Sequence, residues 1–193
     1  MSLVHHETLR LFPTLVGRFA VDPAVLGHVA AEVTARAQTI PTVTRGERTG
    51  WQSANDFLEW SPGCHELGAS FSDAVTAMVV GPKPDGVYLT AWANLLRRGD
   101  YFSPHTHPDA AWSGVLYVEA GDTGEEHGGF LSFRDPRAGA TMVSAATNRF
   151  DTACTVHHYP QTGELVVFPA WLVHWVVPYQ GERPRISVAF NAR

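Results

Sequence analysis

The sequence predicts a mainly β fold with its helices gathered at the N-terminal end. Three observations carry this expectation. Past Gly86 the chain breaks into short apolar runs, each bounded by Gly, Pro or Asp. Before that point, two stretches have apolar residues at the three- and four-residue spacing of a helix. The 13 Pro, 17 Gly and 11% aromatic content, with 6 Trp, suit many turns between packed strands better than a helical bundle. A length of 193 residues fits one domain over 1–193, with an extended segment and helices in 1–85 and a β core in 86–193.

The elements follow in order. Residues 9–21 (LRLFPTLVGRFAV) read as extended, interrupted at Pro13. Asp22-Pro23 is a helix start, with Asp as N-cap and Pro at the first helical position, and AVLGHVAAEVTARAQ continues a helix to about Ala37. Pro62 to Val80 reads as a second helix, with Leu67, Phe71, Val75 and Met78 on one face. GVYLTAWANLL (86–96) then alternates, with Tyr88, Thr90, Trp92 and Asn94 on one face and Val87, Leu89, Ala91 and Ala93 on the other. Further strands are expected in 113–121, 128–136, 163–170, 174–178 and 185–191. Together they make a barrel-like or sandwich-like β domain.

Composition narrows the function. A formal net charge of -5 argues against a nucleic-acid or anionic-membrane surface. No run approaches the roughly 20 apolar residues of a membrane span, and no secretory leader pattern opens the chain. Cys64 and Cys154 form no motif, so a reduced, cytoplasmic setting is expected.

The strongest chemical signal is Tyr101-Phe102-Ser103-Pro104-His105-Thr106-His107. Two His residues at i and i+2 of an extended segment project to one face and can converge on a metal. His174 follows the apolar run Leu165-Val166-Val167-Phe168 and is the best third ligand. His107-Pro108-Asp109 is itself an H-x-D, so spacing alone permits either His105/His107/His174 or His107/Asp109/His174. The remaining histidines, His5, His6, His28, His65, His127, His157 and His158, suit exposed or capping roles. Ligating imidazoles must be neutral, so metal affinity is expected to weaken as pH falls towards about 6.

A second signal closes the chain. On a strand, Arg185 and Ser187 share one face and Ile186, Val188 and Phe190 the other. An interior Arg demands an anion, because a guanidinium does not deprotonate. A carboxylate held by Arg185 and Ser187 would meet that demand. Alternatively Arg185 faces solvent or pairs with Asp135. Arg183, in a loop before Pro184, is the weaker anion ligand.

From about Trp92 to Asn191 the sequence resembles the 2-oxoglutarate and Fe(II)-dependent oxygenases, in a bacterial branch with an H-x-H…H…R-x-S pattern. The matching pieces are WAN (92–94), YFSPHTHP (101–108), SGVLYV (113–118), GFLSFRDPR (129–137), VVFPAWLVH (166–174) and RISVAFN (185–191). The resemblance implies a double-stranded β-helix, the jelly-roll, cupin-like barrel. It implies His105 as first metal ligand, His107 in the position where relatives carry a carboxylate, and His174 as the distal ligand. It also implies Arg185 and Ser187 on the far carboxylate of 2-oxoglutarate, with Asn94 and Tyr101 as polar contacts to that cosubstrate.

Replacing the usual carboxylate by neutral His107 raises the charge of the Fe(II) unit from one to two, which a 2-oxoglutarate dianion neutralises. The imidazole would fill the space that halogenating relatives open for halide, which disfavours halogenation. The expected function is therefore Fe(II)- and 2-oxoglutarate-dependent, hydroxylase-type oxidation of a small molecule or peptide. Trp92, Trp112 and Tyr117 are candidate pocket walls. Two rivals stand beside this reading: a three-His cupin-type dioxygenase that does not use 2-oxoglutarate, and a non-catalytic metal- or ligand-binding sensor. A homodimer is plausible on base rates alone.

Overall fold

The computed structural model describes residues 12–43, 48–137 and 154–193. His5, His6 and residues 9–11 of the expected extended segment lie outside them. The chain runs β1 (Gly17–Ala20), α1 (Leu26–Thr39), β2 (Trp51–Gln52), α2 (Pro62–Met78), β3 (Leu89–Leu96), β4 (Phe102–His105) and β5 (Trp112–Glu119). It continues through β6 (Leu131–Arg134), β7 (Thr155–His158), β8 (Glu164–Pro169), β9 (His174–Val176) and β10 (Arg185–Ala192).

Both helices begin where the local chemistry directs. Asp22 accepts a hydrogen bond from the Ala24 amide, and the chain makes one 3-10 turn over Pro23–Val25 before α1. Ser61 caps α2, with Pro62 in its first turn. Leu26, Val29, Ala30 and Val33 of α1 are buried, as are Leu67, Phe71, Ala74 and Val75 of α2. No helix among the described residues is long and apolar enough to cross a membrane.

The strands form two antiparallel sheets, β1-β8-β5-β10-β3-β2 and β4-β9-β6-β7. They face one another as the two layers of the expected mainly β jelly-roll, with helices before it, without closing into a single hydrogen-bonded barrel. The N-terminal region also supplies strands: β1 pairs with β8 and β2 with β3. β2 has only two residues and β7 follows a polar stretch, so neither shows a readable period.

Side-chain alternation divides the larger sheet into two faces. One face packs on the helices: Ala91, Ala93 and Leu95 of β3, Leu116 and Val118 of β5, Leu165 and Val167 of β8, and Ile186, Val188 and Phe190 of β10. Phe71 of α2 stacks on Phe190 with ring centroids 4.5 Å apart and planes 10° apart. Gly114 makes room for that ring, since a Cβ there would lie 2.3 Å from Phe190 Cε1. The opposite face meets the smaller sheet through Tyr117, Val166 and Phe168 against Leu131 and Phe133.

Candidate active site

Between the sheets lies a cavity of about 500 Å³. Its floor is the second face of the larger sheet, and strand register sets that floor in rows. Gln52 pairs with Asn94, Asn94 with Ser187, and Ser187 with Tyr117, giving a polar row across four strands. The next row is apolar: Trp92, Ala189, Val115 and Val166. Beyond it, Asn191 accepts a 2.7 Å hydrogen bond from the Ser113 hydroxyl.

The smaller sheet provides two of the three imidazoles, and the loop after β4 the third. His105 and His174 are direct cross-strand partners on β4 and β9. β4 is an edge strand, which is why Pro104 fits within it. His107 lies two residues beyond His105 and is turned inward by its amide, which donates to the Ala170 carbonyl at 2.9 Å. One nitrogen from each of the three lies within 4.8 Å of the others. A metal with bonds of roughly 2.1 Å draws such a set together by small side-chain movements. Asp109 is exposed, and no carboxylate joins the cluster among the described residues. The geometry therefore gathers His105/His107/His174 and leaves the Asp109 triad unassembled.

Hydrogen bonding also fixes the tautomers. His105 Nδ1–H donates to the Ser103 carbonyl at 2.7 Å, and His174 Nδ1–H donates to the Leu172 carbonyl at 2.8 Å. A carbonyl only accepts, so each Nε2 is left with its lone pair for a metal. Burial lowers the pKa of all three. His174 falls to about 3, helped by the neighbouring His105, and His107 to about 4 for the same two reasons. His105 is lowered by burial and by the Arg48 charge, against its bond to Ser103. The site is thus held neutral, as a ligand set must be.

Arg185 lines the other end of the cavity and is 1% exposed. Its Nε and Nη1 have no hydrogen-bond partner among the described residues. The alternative pairing with Asp135 does not form, because Asp135 is held by Arg137 at 2.6 Å. Arg183 points elsewhere. It is ion-paired with Asp122 at 2.7 Å rather than simply solvated. The Arg185 guanidinium lies over the Tyr117 ring, 5.0 Å from its centroid, and the buried Tyr117 hydroxyl also lacks a partner among the described residues. Burial pushes that hydroxyl up to about 12, so it remains a donor. A cation and a hydroxyl buried together without an acceptor fit a carboxylate.

Other expected residues divide. Ser187 and Asn94 line the cavity, and Asn94 accepts a 2.9 Å bond from Gln52 Nε2. Tyr101 is not brought into the wall, whereas Phe102, Ser103, Pro104 and His105 are; a register shift between Phe102 and His105 breaks the alternation that would otherwise set Tyr101 on the face of His105. Trp92 and Tyr117 are walls, whereas Trp112 packs on the helix-facing core because its odd-numbered neighbours Ser113 and Val115 take the cavity face. Two features escaped the sequence reading: Tyr117 as a hydroxyl beside Arg185, and Gln52. Each is legible only from cross-strand register, which no local pattern prints.

The profile of the family described as "Putative 2OG-Fe(II) oxygenase" matches residues 90–191, just over half of the 193-residue chain. The chain belongs to this family. The matched 2OG-Fe(II) oxygenase region runs from β3 to β10 and so contains the three imidazoles, Arg185 and Ser187. No match is found among curated proteins.

Solved structures share the fold of this family member. A Pseudomonas putida prolyl-4-hydroxylase is similar with a TM-score of 0.65 at 19% identity, covering 93% of this chain and 92% of its own. HygX from Streptomyces hygroscopicus, with nickel and 2-oxoglutarate bound, is similar with a TM-score of 0.63 at 13% identity, covering 93% and 82%. The non-haem α-ketoglutarate-dependent epimerase SnoN from nogalamycin biosynthesis is similar with a TM-score of 0.65 at 16% identity, covering 93% and 78%.

Proposed function

We propose that the protein is an Fe(II)- and 2-oxoglutarate-dependent dioxygenase that carries out a hydroxylase-type oxidation of a small molecule or peptide. The observation that carries this reading is Arg185, whose Nε and Nη1 have no hydrogen-bond partner among the described residues, buried at one end of a cavity whose other end gathers three neutral imidazoles. In this reading His105, His107 and His174 hold the metal through their Nε2 or equivalent lone pairs. Arg185 and Tyr117 take the far carboxylate of the cosubstrate, and Ser187 and Asn94 line its path. Trp92, Val115 and Ala189 exclude water from the span between the two ends. Fe(II) and the keto acid would together supply an oxidant from dioxygen, with 2-oxoglutarate decarboxylated to succinate. A neutral triad leaves the full double charge of Fe(II) to the dianion, so charge balance favours binding the two together.

A cupin-type dioxygenase that does not use 2-oxoglutarate would have no use for a buried guanidinium at this place. Anaerobic titration of the Fe(II)–2-oxoglutarate charge-transfer band tests the reading. Arg185→Ala should cost about 2–5 kcal/mol, the scale for deleting one partner of a desolvated charge pair, or a Kd raised roughly 30-fold or more. Arg185→Lys should also weaken binding, because the planar fork is lost. Arg183→Ala should change little, since its partner is Asp122. A wild-type protein without the band, or an Arg185→Ala protein that binds normally, would overturn the reading.

A further inference from the structure

Beyond the anion end of the cavity, side chains from five strands run outward to the surface. The Tyr117 ring, already beneath Arg185, has a second neighbour in the His158 imidazole, with centroids 6.1 Å apart and planes 31° apart. His158 Nε2–H donates to Glu164 Oε2 at 2.8 Å. Glu164 is 8% exposed and also accepts from Arg18 Nε at 2.5 Å. The Arg18 side chain is 60% exposed and ends the series. His158 belongs to β7 of the smaller sheet, whereas Glu164, Tyr117, Arg185 and Arg18 stand on β8, β5, β10 and β1 of the larger one.

A carboxylate paired with Arg18 already has its counter-ion, so the imidazole is not required for charge balance. What His158 adds is a contact with the Tyr117 ring and a titratable position that senses the cavity. The charged and titratable groups bearing on it are Glu164, Arg18, Arg185 and the Tyr117 phenol. We infer that His158, seated on Glu164, is a positioning residue for the anion end: it holds Tyr117 beneath Arg185, and its protonation tightens the grip on the far carboxylate of 2-oxoglutarate. This rests on the function proposed above.

Direction follows from the neighbours. Burial lowers the His158 pKa, Glu164 raises it, and the Arg18 and Arg185 charges lower it. A carboxylate bound at Arg185 offsets that guanidinium at His158. Binding therefore raises the imidazole's proton affinity, and by reciprocity a protonated His158 favours the bound anion. Cosubstrate carboxylates stay ionised well above about pH 4.3, so they do not confuse the range in which His158 titrates.

The test uses the full chain loaded with Zn(II), which is redox-silent, and calorimetric titration with 2-oxoglutarate between about pH 7.5 and 5.5 in buffers of differing ionisation heat. Wild-type affinity should tighten about twofold to tenfold on acidification, the range for unit charges roughly 10 Å apart, with proton uptake on binding. His158→Gln keeps an N–H for Glu164 but loses the ring and the titrating proton, so it should bind more weakly than wild type, with a flat pH profile and no proton uptake. The same pH slope in His158→Gln, or a flat wild-type profile with intact binding, overturns the inference and leaves the proposed function standing. Absence of 2-oxoglutarate binding at every pH overturns both. NMR titration of the wild-type His158 ring gives an independent answer if the variant fails to fold. Its pKa should rise when 2-oxoglutarate is added, and an unmoved titration overturns the inference.

Discussion

His174 sits deepest of the three imidazoles, 6% exposed and bonded to the Leu172 carbonyl, so its removal takes away the best-fixed nitrogen of the set. Metal content measured after purification should collapse in His105→Ala and His174→Ala and persist in Asp109→Ala, whose carboxylate is exposed and outside the cluster. Retention of metal by His174→Ala with loss in Asp109→Ala would move the site. The pH dependence follows from the same burial. An ordinary imidazole loses metal near its usual pKa, and the sequence alone predicts weakening towards about pH 6. Here His107 and His174 protonate only at about 4 and about 3, so the midpoint for metal loss should lie well below that of an unperturbed His. Stability of the metal-free protein has the matching sign. The unfolded chain takes up protons as pH falls through about 6.5, while the folded sites stay neutral. Stability is therefore lost progressively from that pH down to the folded values and levels off below them. Thermal midpoints with and without Zn(II) across this range measure both effects.

At the scale of elements, β10 shows how much was legible. Its two faces were readable from Arg185-Ile186-Ser187-Val188 alone, because a period of two sets Arg185 and Ser187 opposite Ile186 and Val188, although these residues left open whether Arg185 meets an anion, solvent or Asp135. α1 and α2 were readable from Asp22-Pro23 and from the Leu67/Phe71/Val75 stripe. What stayed hidden was pairing. Nothing local to Tyr117 shows that it stands opposite Ser187, and nothing in Trp51-Gln52 marks a strand. Tyr101 stays off the cavity wall because the register shift between Phe102 and His105 interrupts strand alternation there, and nothing local to the motif shows that shift. The coupling of α2 to β10 gives a test of the packing. Phe71→Ala removes the ring stacked on Phe190 and should cost about 3–5 kcal/mol, read as a lowered urea midpoint with an unchanged m-value. A loss of under about 1 kcal/mol would show that the helix contributes little to holding this strand.

Across the whole molecule, two sheets divide the labour. The larger sheet is anchored by both helices and carries the anion end of the cavity, while the smaller sheet, with His105 and His174 on adjacent strands, carries the metal end. A cosubstrate chelating at one end and paired with Arg185 at the other would touch both. It would then serve as a cross-brace, tying the four-stranded layer to the helix-backed one. Reagent and architecture would then be the same object: in the proposed reaction, shortening the brace to succinate would also slacken the tie between the two layers.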